Sequence, residues 1–282
     1  MRTYGEPRPT AARLPHVGRR GFLGLVGAGI AGVAGAAGAA AEGTAAVGGS
    51  AAKATAGRTA AVDTADCPFP YLDHPFLDRA GWGADESRRF QNGAERWPPA
   101  YYPLQTLTVH HTALADGSDH NVADPAAMMR SLYRNMTGNV PSQDYGDFGY
   151  HFLIDEAGVV YEGRYSGTDG TAAFDASGNL VTAAHITGWN SGNLGIVVLG
   201  NFNNWSPTAA AQESLTQLLA SIAGPHGLDP EGTTNFVNPV SGDTKTVPTI
   251  SGHGNWAGVD CPGTNLKSQL PAIRADVAAI LG

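Results

Sequence analysis

The chain has 282 residues and is acidic, with 17 Lys/Arg against 25 Asp/Glu, and it contains 38 glycines and two cysteines. That length allows one large domain or two small ones. No basic cluster and no interleaving of basic with aromatic residues occurs, which excludes a nucleic-acid binder.

The first elements in chain order belong to a leader rather than a fold. Arg19-Arg20-Gly21-Phe22-Leu23 sets paired arginines before an uncharged Gly/Ala/Val/Leu/Ile stretch from Leu23 to Ala41. The stretch ends in Ala39-Ala40-Ala41, an A-x-A-like cleavage pattern. Residues 1–41 are therefore expected to be a twin-arginine signal peptide that sends the protein out of the cell. The competing reading is a membrane anchor, but the segment is only weakly hydrophobic. No other segment approaches the roughly 20 apolar residues of a membrane span, so no integral span is expected after cleavage. Residues 42–66 are Ala, Gly and Thr with scattered polar side chains and no aromatic anchor, and they read as a flexible lead-in. From Glu42 onward, twelve Lys/Arg stand against twenty-four Asp/Glu, which is −12.

Residues 67–282 read as one α/β domain. Leu104 to Thr112 is the first strand. Asp124 to Met136 is a helix, with Met128, Met129, Leu132, Tyr133 and Met136 recurring on one face and Asp124-Pro125 as its cap and first turn. Tyr150 to Asp155 and Val159 to Arg164 form a hairpin across Glu156-Ala157-Gly158. Leu194 to Leu199 is apolar without alternation, as expected of a central strand buried on both faces. A second helix begins at Ser206-Pro207 and runs to about Ala223. Val247 to Ser251 is another strand, and Asn265 to Leu281 is a last helix with Leu266, Leu270, Ile273, Val277 and Ile280 inward. Alternating strands and helices predict a mixed central β-sheet flanked by helices. Two long Gly/Thr/Asn-rich loops, Ser166 to Ile186 and His226 to Lys245, are candidates for functional segments.

The chemistry is concentrated at the end of the first strand, Leu107-Thr108-Val109-His110-His111-Thr112. Successive strand residues face opposite ways. Leu107, Val109 and His111 share an apolar face that must meet a helix. Thr106, Thr108, His110 and Thr112 share the more polar face. The alternation nominates His110 as the site residue and His111 as the packed one. Its candidate partners are His253, which follows Ser251-Gly252 at a strand end, and Cys261, which precedes Pro262-Gly263. Two imidazoles and a thiolate suit zinc and leave a fourth position for water, as in catalytic rather than structural sites. The alternative for Cys261 is a disulfide with Cys67, which would make this a structural domain without a metal. If Cys261 binds the metal, Cys67 is left as a lone thiol, and folding with metal loading before export would protect Cys261.

The ordered motifs resemble the type 2 N-acetylmuramoyl-L-alanine amidases, a family that includes bacteriophage amidases and peptidoglycan recognition proteins. Arg79-Ala80-Gly81-Trp82-Gly83-Ala84 is similar to the family's R-x-x-WGA opening. Leu107 to Ala113 resembles its first strand. Gly149-Tyr150-His151-Phe152 resembles its G-Y-H-F strand and Val160-Tyr161-Glu162-Gly163-Arg164 the segment after it. His185…Gly188-Trp189-Asn190…Leu194-Gly195-Ile196…Gly200-Asn201-Phe202 and Gly252-His253…Cys261-Pro262-Gly263 complete the series. The resemblance implies a mixed sheet with a zinc cleft on one face. It implies peptidoglycan as substrate and hydrolysis of the amide between N-acetylmuramic acid and L-alanine. It also implies zinc held by His110, His253 and Cys261, with Tyr150 as the catalytic tyrosine that orients water or donates to the oxyanion. A strand-packed aromatic is the plain alternative for Tyr150.

Two departures bear on rate. The family usually carries Lys or Thr two residues before the closing cysteine, and here that position is Val259. It usually continues G-H-R-D, and here the chain reads Gly252-His253-Gly254-Asn255. Asn255, Asp260 and His185 are the residues that could supply a missing donor. His185, Trp189, Asn190 and Arg164 are the candidate substrate-groove residues; the structural alternatives are an ion pair for Arg164 and a turn cap for Asn190. A peptidoglycan-binding protein that kept the metal and lost most activity is the second reading. The sequence carries no signal of oligomeric state.

Overall fold

The structure, a computed structural model, describes residues 67–282. The expected leader (1–41) and lead-in (42–66) lie outside the described residues. Fifteen elements follow one another in the chain: β1 Phe76–Leu77, β2 Phe90–Gln91, β3 Ala94–Glu95, β4 Tyr101–Tyr102, β5 Thr106–His111, α1 Pro125–Arg134, β6 Phe152–Ile154, β7 Val160–Glu162, β8 Leu180–Val181, β9 Asn193–Val198, α2 Ala209–Ala223, β10 Thr233–Val237, β11 Thr244–Pro248, β12 Ile250–Gly252 and α3 Thr264–Leu281. Six strands form the main sheet in the order β1-β7-β6-β9-β5-β12. It is mixed: β9 runs parallel to both β5 and β6, β12 is parallel to β5, and β6 is antiparallel to β7. The apolar run from Leu194 occupies the centre, and every residue of β9 is buried, as a strand covered on both faces requires.

The two faces of β5 meet different layers. Leu107 and Val109 join Leu194, Ile196 and Val198 in the largest core, under Leu215, Leu218, Leu219 and Ile222 of α2 and Leu266, Leu270, Ile273 and Val277 of α3. On the other face, Leu153, Tyr161 and Val197 pack with Met129, Leu132 and Tyr133 of α1 and with Trp82. A third cluster, Ile186, Phe236, Val247 and Trp256 with Trp189 against it, ties the β10–β11 hairpin to the molecule. Full burial of a large apolar side chain stabilises by about 1.5–3 kcal/mol, so these layers hold the sheet rigid where the site is built.

The structure corrects several expected boundaries. The segment Val247–Ser251 is not one strand. Val247 and Pro248 belong to β11, paired with β10, whereas Ile250 and Ser251 belong to β12 in the main sheet. Thr249 is the crossing point; its carbonyl accepts from Leu107 N at 2.9 Å and Thr106 Oγ1 at 2.8 Å. The expected loop His226–Lys245 contains β10 and the start of β11. Helix α1 stops at Arg134, and a wider turn over Asn135–Asn139 follows. Helix α2 starts at Ala209, because the Thr208 hydroxyl accepts from Ala211 N and caps it there. Ile280, expected to face inward, is 36% exposed in the last turn of α3. No helix among the described residues is long and apolar enough to cross a membrane.

Candidate metal centre

The end of β5 carries the site. His110 is buried on the threonine face, while the ring of His111 turns to the opposite side, stacks on Phe202 and accepts from Phe202 N through Nδ1 at 3.2 Å. Parallel pairing of β12 with β5 aligns Gly252 with Val109, so His253 leaves its strand beside His110; their ring centroids are 4.8 Å apart. The chain then loops, held by Gly254 N donating to the Cys261 carbonyl at 2.8 Å, and returns Cys261 Sγ to 3.6 Å from His110 Nδ1. The donor atoms of His110, His253 and Cys261 all lie within 4.8 Å of one another, and among the described residues no fourth His, Cys, Asp or Glu joins them. Both cysteines are free thiols, so the disulfide alternative falls.

The donor set fits zinc. Bonds of about 2.05 Å to nitrogen and about 2.3 Å to sulfur at a tetrahedral angle separate N and S by about 3.6 Å, which is the observed His110–Cys261 spacing. The electrostatics agree. Burial pushes His110 well below the ordinary histidine range and His253 down to about 4, so both rings keep a lone pair for an ion. Burial pushes the Cys261 thiol up to about 12, against a hydrogen bond from the His111 backbone that lowers it. Without a cation beside it that sulfur keeps its proton; a divalent ion supplies the charge that makes it a thiolate. His253 and Cys261 are partly exposed, so solvent reaches the cluster.

Tyr150 stands at the rim. Its ring lies 5.2 Å from that of His110 and packs on the α1 side of the sheet. Burial first, then Cys261 and Tyr145, raises its phenol above the ordinary tyrosine range, so it remains an O–H donor at neutral pH.

The four groove candidates fall differently. Arg164 is fully buried and is corrected to a structural residue. Its guanidinium donates to Asp147 Oδ2 at 2.5 Å, to Trp97 O at 2.8 Å and to Thr182 O at 3.1 Å, and stacks 3.9 Å from the Trp97 ring. An exposed carboxylate partner would have left it free to bind a ligand, but Asp147 is itself buried. His185 is 7% exposed and spends both ring nitrogens inside the protein, on His110 Nε2 at 3.1 Å and on Asn193 O at 2.9 Å; it is no groove wall. Asn190 uses its Oδ1 to accept from His185 N at 2.9 Å and Ile186 N at 2.8 Å, which is the turn cap. Trp189 is partly exposed and packs on Phe236 and Trp256.

Beneath His110 lies a buried polar net that the motifs did not reveal. Thr108 Oγ1 donates to Asn193 Oδ1 at 2.8 Å and lies 3.1 Å from Ser251 Oγ; Trp256 Nε1 donates to Ser251 Oγ at 2.9 Å and to Thr108 Oγ1 at 3.0 Å. It pins β5, β9 and β12 together below the donors and anchors the turn that bears His253. The threonine alternation on β5 was its one visible sign.

The sequence profile of the family described as N-acetylmuramoyl-L-alanine amidase matches residues 100–264. Peptidoglycan-recognition protein SC2 of Drosophila melanogaster is 29% identical over 204 residues, 72% of this chain and 89% of that protein. Human N-acetylmuramoyl-L-alanine amidase is 30% identical over 210 residues, 74% of this chain but only 30% of the human protein, so the chain spans under a third of that relative. Among solved structures, that of Drosophila peptidoglycan recognition protein SD superposes with a TM-score of 0.50 at 25% identity, covering 70% of this chain and 94% of the other. The profile match extends over more than half of the chain and takes in β5, Tyr150 and the loop from His253 to Cys261; the chain belongs to the N-acetylmuramoyl-L-alanine amidase family, which also includes peptidoglycan recognition proteins.

Proposed function

We propose that this protein is an exported, zinc-dependent N-acetylmuramoyl-L-alanine amidase that hydrolyses the amide between N-acetylmuramic acid and the L-alanine of the peptidoglycan stem. In this reading residues 1–41 are the twin-arginine leader, residues 42–66 the lead-in and residues 67–282 the zinc domain. The observation that carries it is the meeting of His110 Nδ1, the His253 imidazole and Cys261 Sγ beside a protonated Tyr150. When bound, zinc supplies a Lewis acid that polarises the scissile carbonyl and acidifies water. His110, His253 and Cys261 hold the ion. Tyr150 donates its hydroxyl proton in a hydrogen bond to the oxygen that gains charge as the carbonyl is attacked. Trp189, which is partly exposed, is assigned to the substrate groove.

A second reading, a peptidoglycan-binding recognition protein with weak or no amidase activity, is favoured by one observation. Val259 occupies the position where the resembling amidases carry a donor, and valine can give neither a hydrogen bond nor a proton. One experiment separates the two. Purified protein is incubated with purified cell wall, with zinc or with chelator, beside His110→Ala. New alanine amino termini that appear with wild type and zinc, vanish with chelator and fail to appear with the variant support the amidase. Wall binding by wild type with no more release than His110→Ala supports the recognition protein.

A further inference from the structure

The contact between His185 and His110 plays no part in the reading above, and its geometry has a direction. Nε2 of His185 lies 2.9 Å from the Asn193 carbonyl oxygen. A carbonyl only accepts, so that nitrogen carries the proton. A neutral imidazole protonated at Nε2 presents a lone pair at Nδ1, the atom 3.1 Å from His110 Nε2. His110 must then donate from Nε2, which leaves its own lone pair on Nδ1. That is the atom 3.6 Å from Cys261 Sγ. We propose that His185 is a positioning residue of the metal centre: the Asn193 carbonyl sets its tautomer, and it holds His110 protonated at Nε2 with Nδ1 aimed at the ion. The proposal rests on the reading of His110, His253 and Cys261 as zinc ligands.

The seat for this ring is built. Its backbone N–H is fixed by the Asn190 side chain. Its ring lies over Gly195 of β9, where a Cβ would stand only 2.6 Å from His185 Cγ. A side chain there would exclude the ring from its place; glycine admits it. His151, the neighbouring buried histidine, is a useful contrast. It donates to Val181 O at 2.6 Å and accepts from Gly195 N at 2.9 Å, so both its nitrogens bind backbone and neither touches a donor of the cluster. His151 joins strands, whereas His185 joins a strand to a ligand.

A histidine ligand whose second nitrogen has a partner is fixed in tautomer and ring angle before the ion arrives, and losing such a partner typically lowers metal affinity about 10–100-fold. The test uses the full folded chain with zinc alone as the probe. Zinc affinity is measured by competition with a chromophoric chelator for wild type, His185→Ala and His185→Asn, and the melting temperature of each zinc-free protein is recorded beside it. Asparagine places Oδ1 near the position of the lost Nδ1. The expected result is a loss of about 10-fold or more for His185→Ala and recovery of most of it in His185→Asn. Nitrogen-15 spectra of histidine-labelled, zinc-loaded wild type should show His110 ligating through Nδ1 with Nε2 protonated, a readout that stands even where His185→Ala fails to fold. Ligation through Nε2, zinc affinity in His185→Ala within twofold of wild type, or equal losses in the alanine and asparagine variants would each overturn the proposal. Wild type that takes up no zinc sinks the metal-centre reading as well. Zinc uptake that His110→Ala abolishes and His185→Ala leaves intact sinks this proposal alone.

Discussion

Replacing Gly195 with alanine puts the packing argument to a quantitative test. Gly195 faces Thr108 in the β5–β9 register, and its added Cβ would lie 2.6 Å from Cγ, 2.7 Å from Nδ1 and 2.8 Å from Cδ2 of His185. Favourable carbon–carbon contacts sit at about 3.5–4.0 Å, so the ring has to retreat by about 1 Å. It is held by hydrogen bonds of 3.1 and 2.9 Å at its two nitrogens and by the edge of His151, ring centroid 5.7 Å away. Such a retreat breaks at least one of the two bonds. Overpacking costs about 1–3 kcal/mol, and a buried polar group left without its partner about 1–3 kcal/mol more. The zinc-free protein should therefore lose about 2–6 kcal/mol, a large share of a typical domain's stability. Urea unfolding of zinc-free wild type and Gly195→Ala, fitted with a common slope, measures this directly. A difference below about 0.5 kcal/mol, the scatter of innocuous surface changes, would mean that β9 yields and the seat for His185 is not constrained as argued.

Acid should unfold the zinc-free protein early. Burial lowers His151 to about 4, only partly offset by its backbone hydrogen bonds. Between 6.5 and 4 the unfolded chain therefore takes up a proton that the folded one refuses, and stability falls as pH falls through that window. Urea unfolding at pH 7.5 and pH 5 should show a loss of about 2 kcal/mol from His151. His111, also lowered to about 4 by burial, adds to it, and Glu162, raised to about 7 by burial, opposes it because the folded state takes up that proton first; a loss no smaller in His151→Asn than in wild type refutes this. Arg164→Leu takes from the buried Asp147 carboxylate one of its two guanidinium partners, leaving Arg79 at 3.2 Å, and strands the Trp97 and Thr182 carbonyls, so it should destabilise by at least about 1–3 kcal/mol; a variant as stable as wild type in urea would refute a structural role for Arg164. Val259→Thr should raise the rate of alanine amino-terminus release from cell wall by about 10-fold or more with zinc content unchanged, since a single oxyanion donor is worth about 10²–10³ in rate. An unchanged rate means that position 259 does not face the reacting amide.

What was legible in the sequence followed from periodicity. Alternation along Thr106–His111 separated His110 from His111 because strand geometry leaves no other choice. The apolar run at Leu194 announced a covered central strand. Periodicity is silent on partners, however. The segment from Val247 to Ser251 looks like one strand because each residue is extended, yet the chain changes sheets at Thr249. Nothing local records that Thr249 O meets Leu107 far away in the chain. Arg164 looked like a ligand-binding residue because a buried arginine and an exposed one read the same until Asp147 is found beside it, across 17 residues of sequence. His185 was picked out by its motif, but the use of its ring depended on Asn193 and on the missing side chain at Gly195.

The donors of the cluster are unequally spaced along the chain. His253 and Cys261 share one short loop closed by its own hydrogen bond, whereas His110 and Cys261 are 151 residues apart. An ion meeting the unfolded polypeptide finds at most a floppy two-armed chelate near its end. The third arm arrives only when β12 docks alongside β5. On the zinc-site proposal, tight capture of metal would timestamp the closing of that sheet edge, and the lag between collapse and metal uptake in a refolding experiment would be a clock for that one pairing.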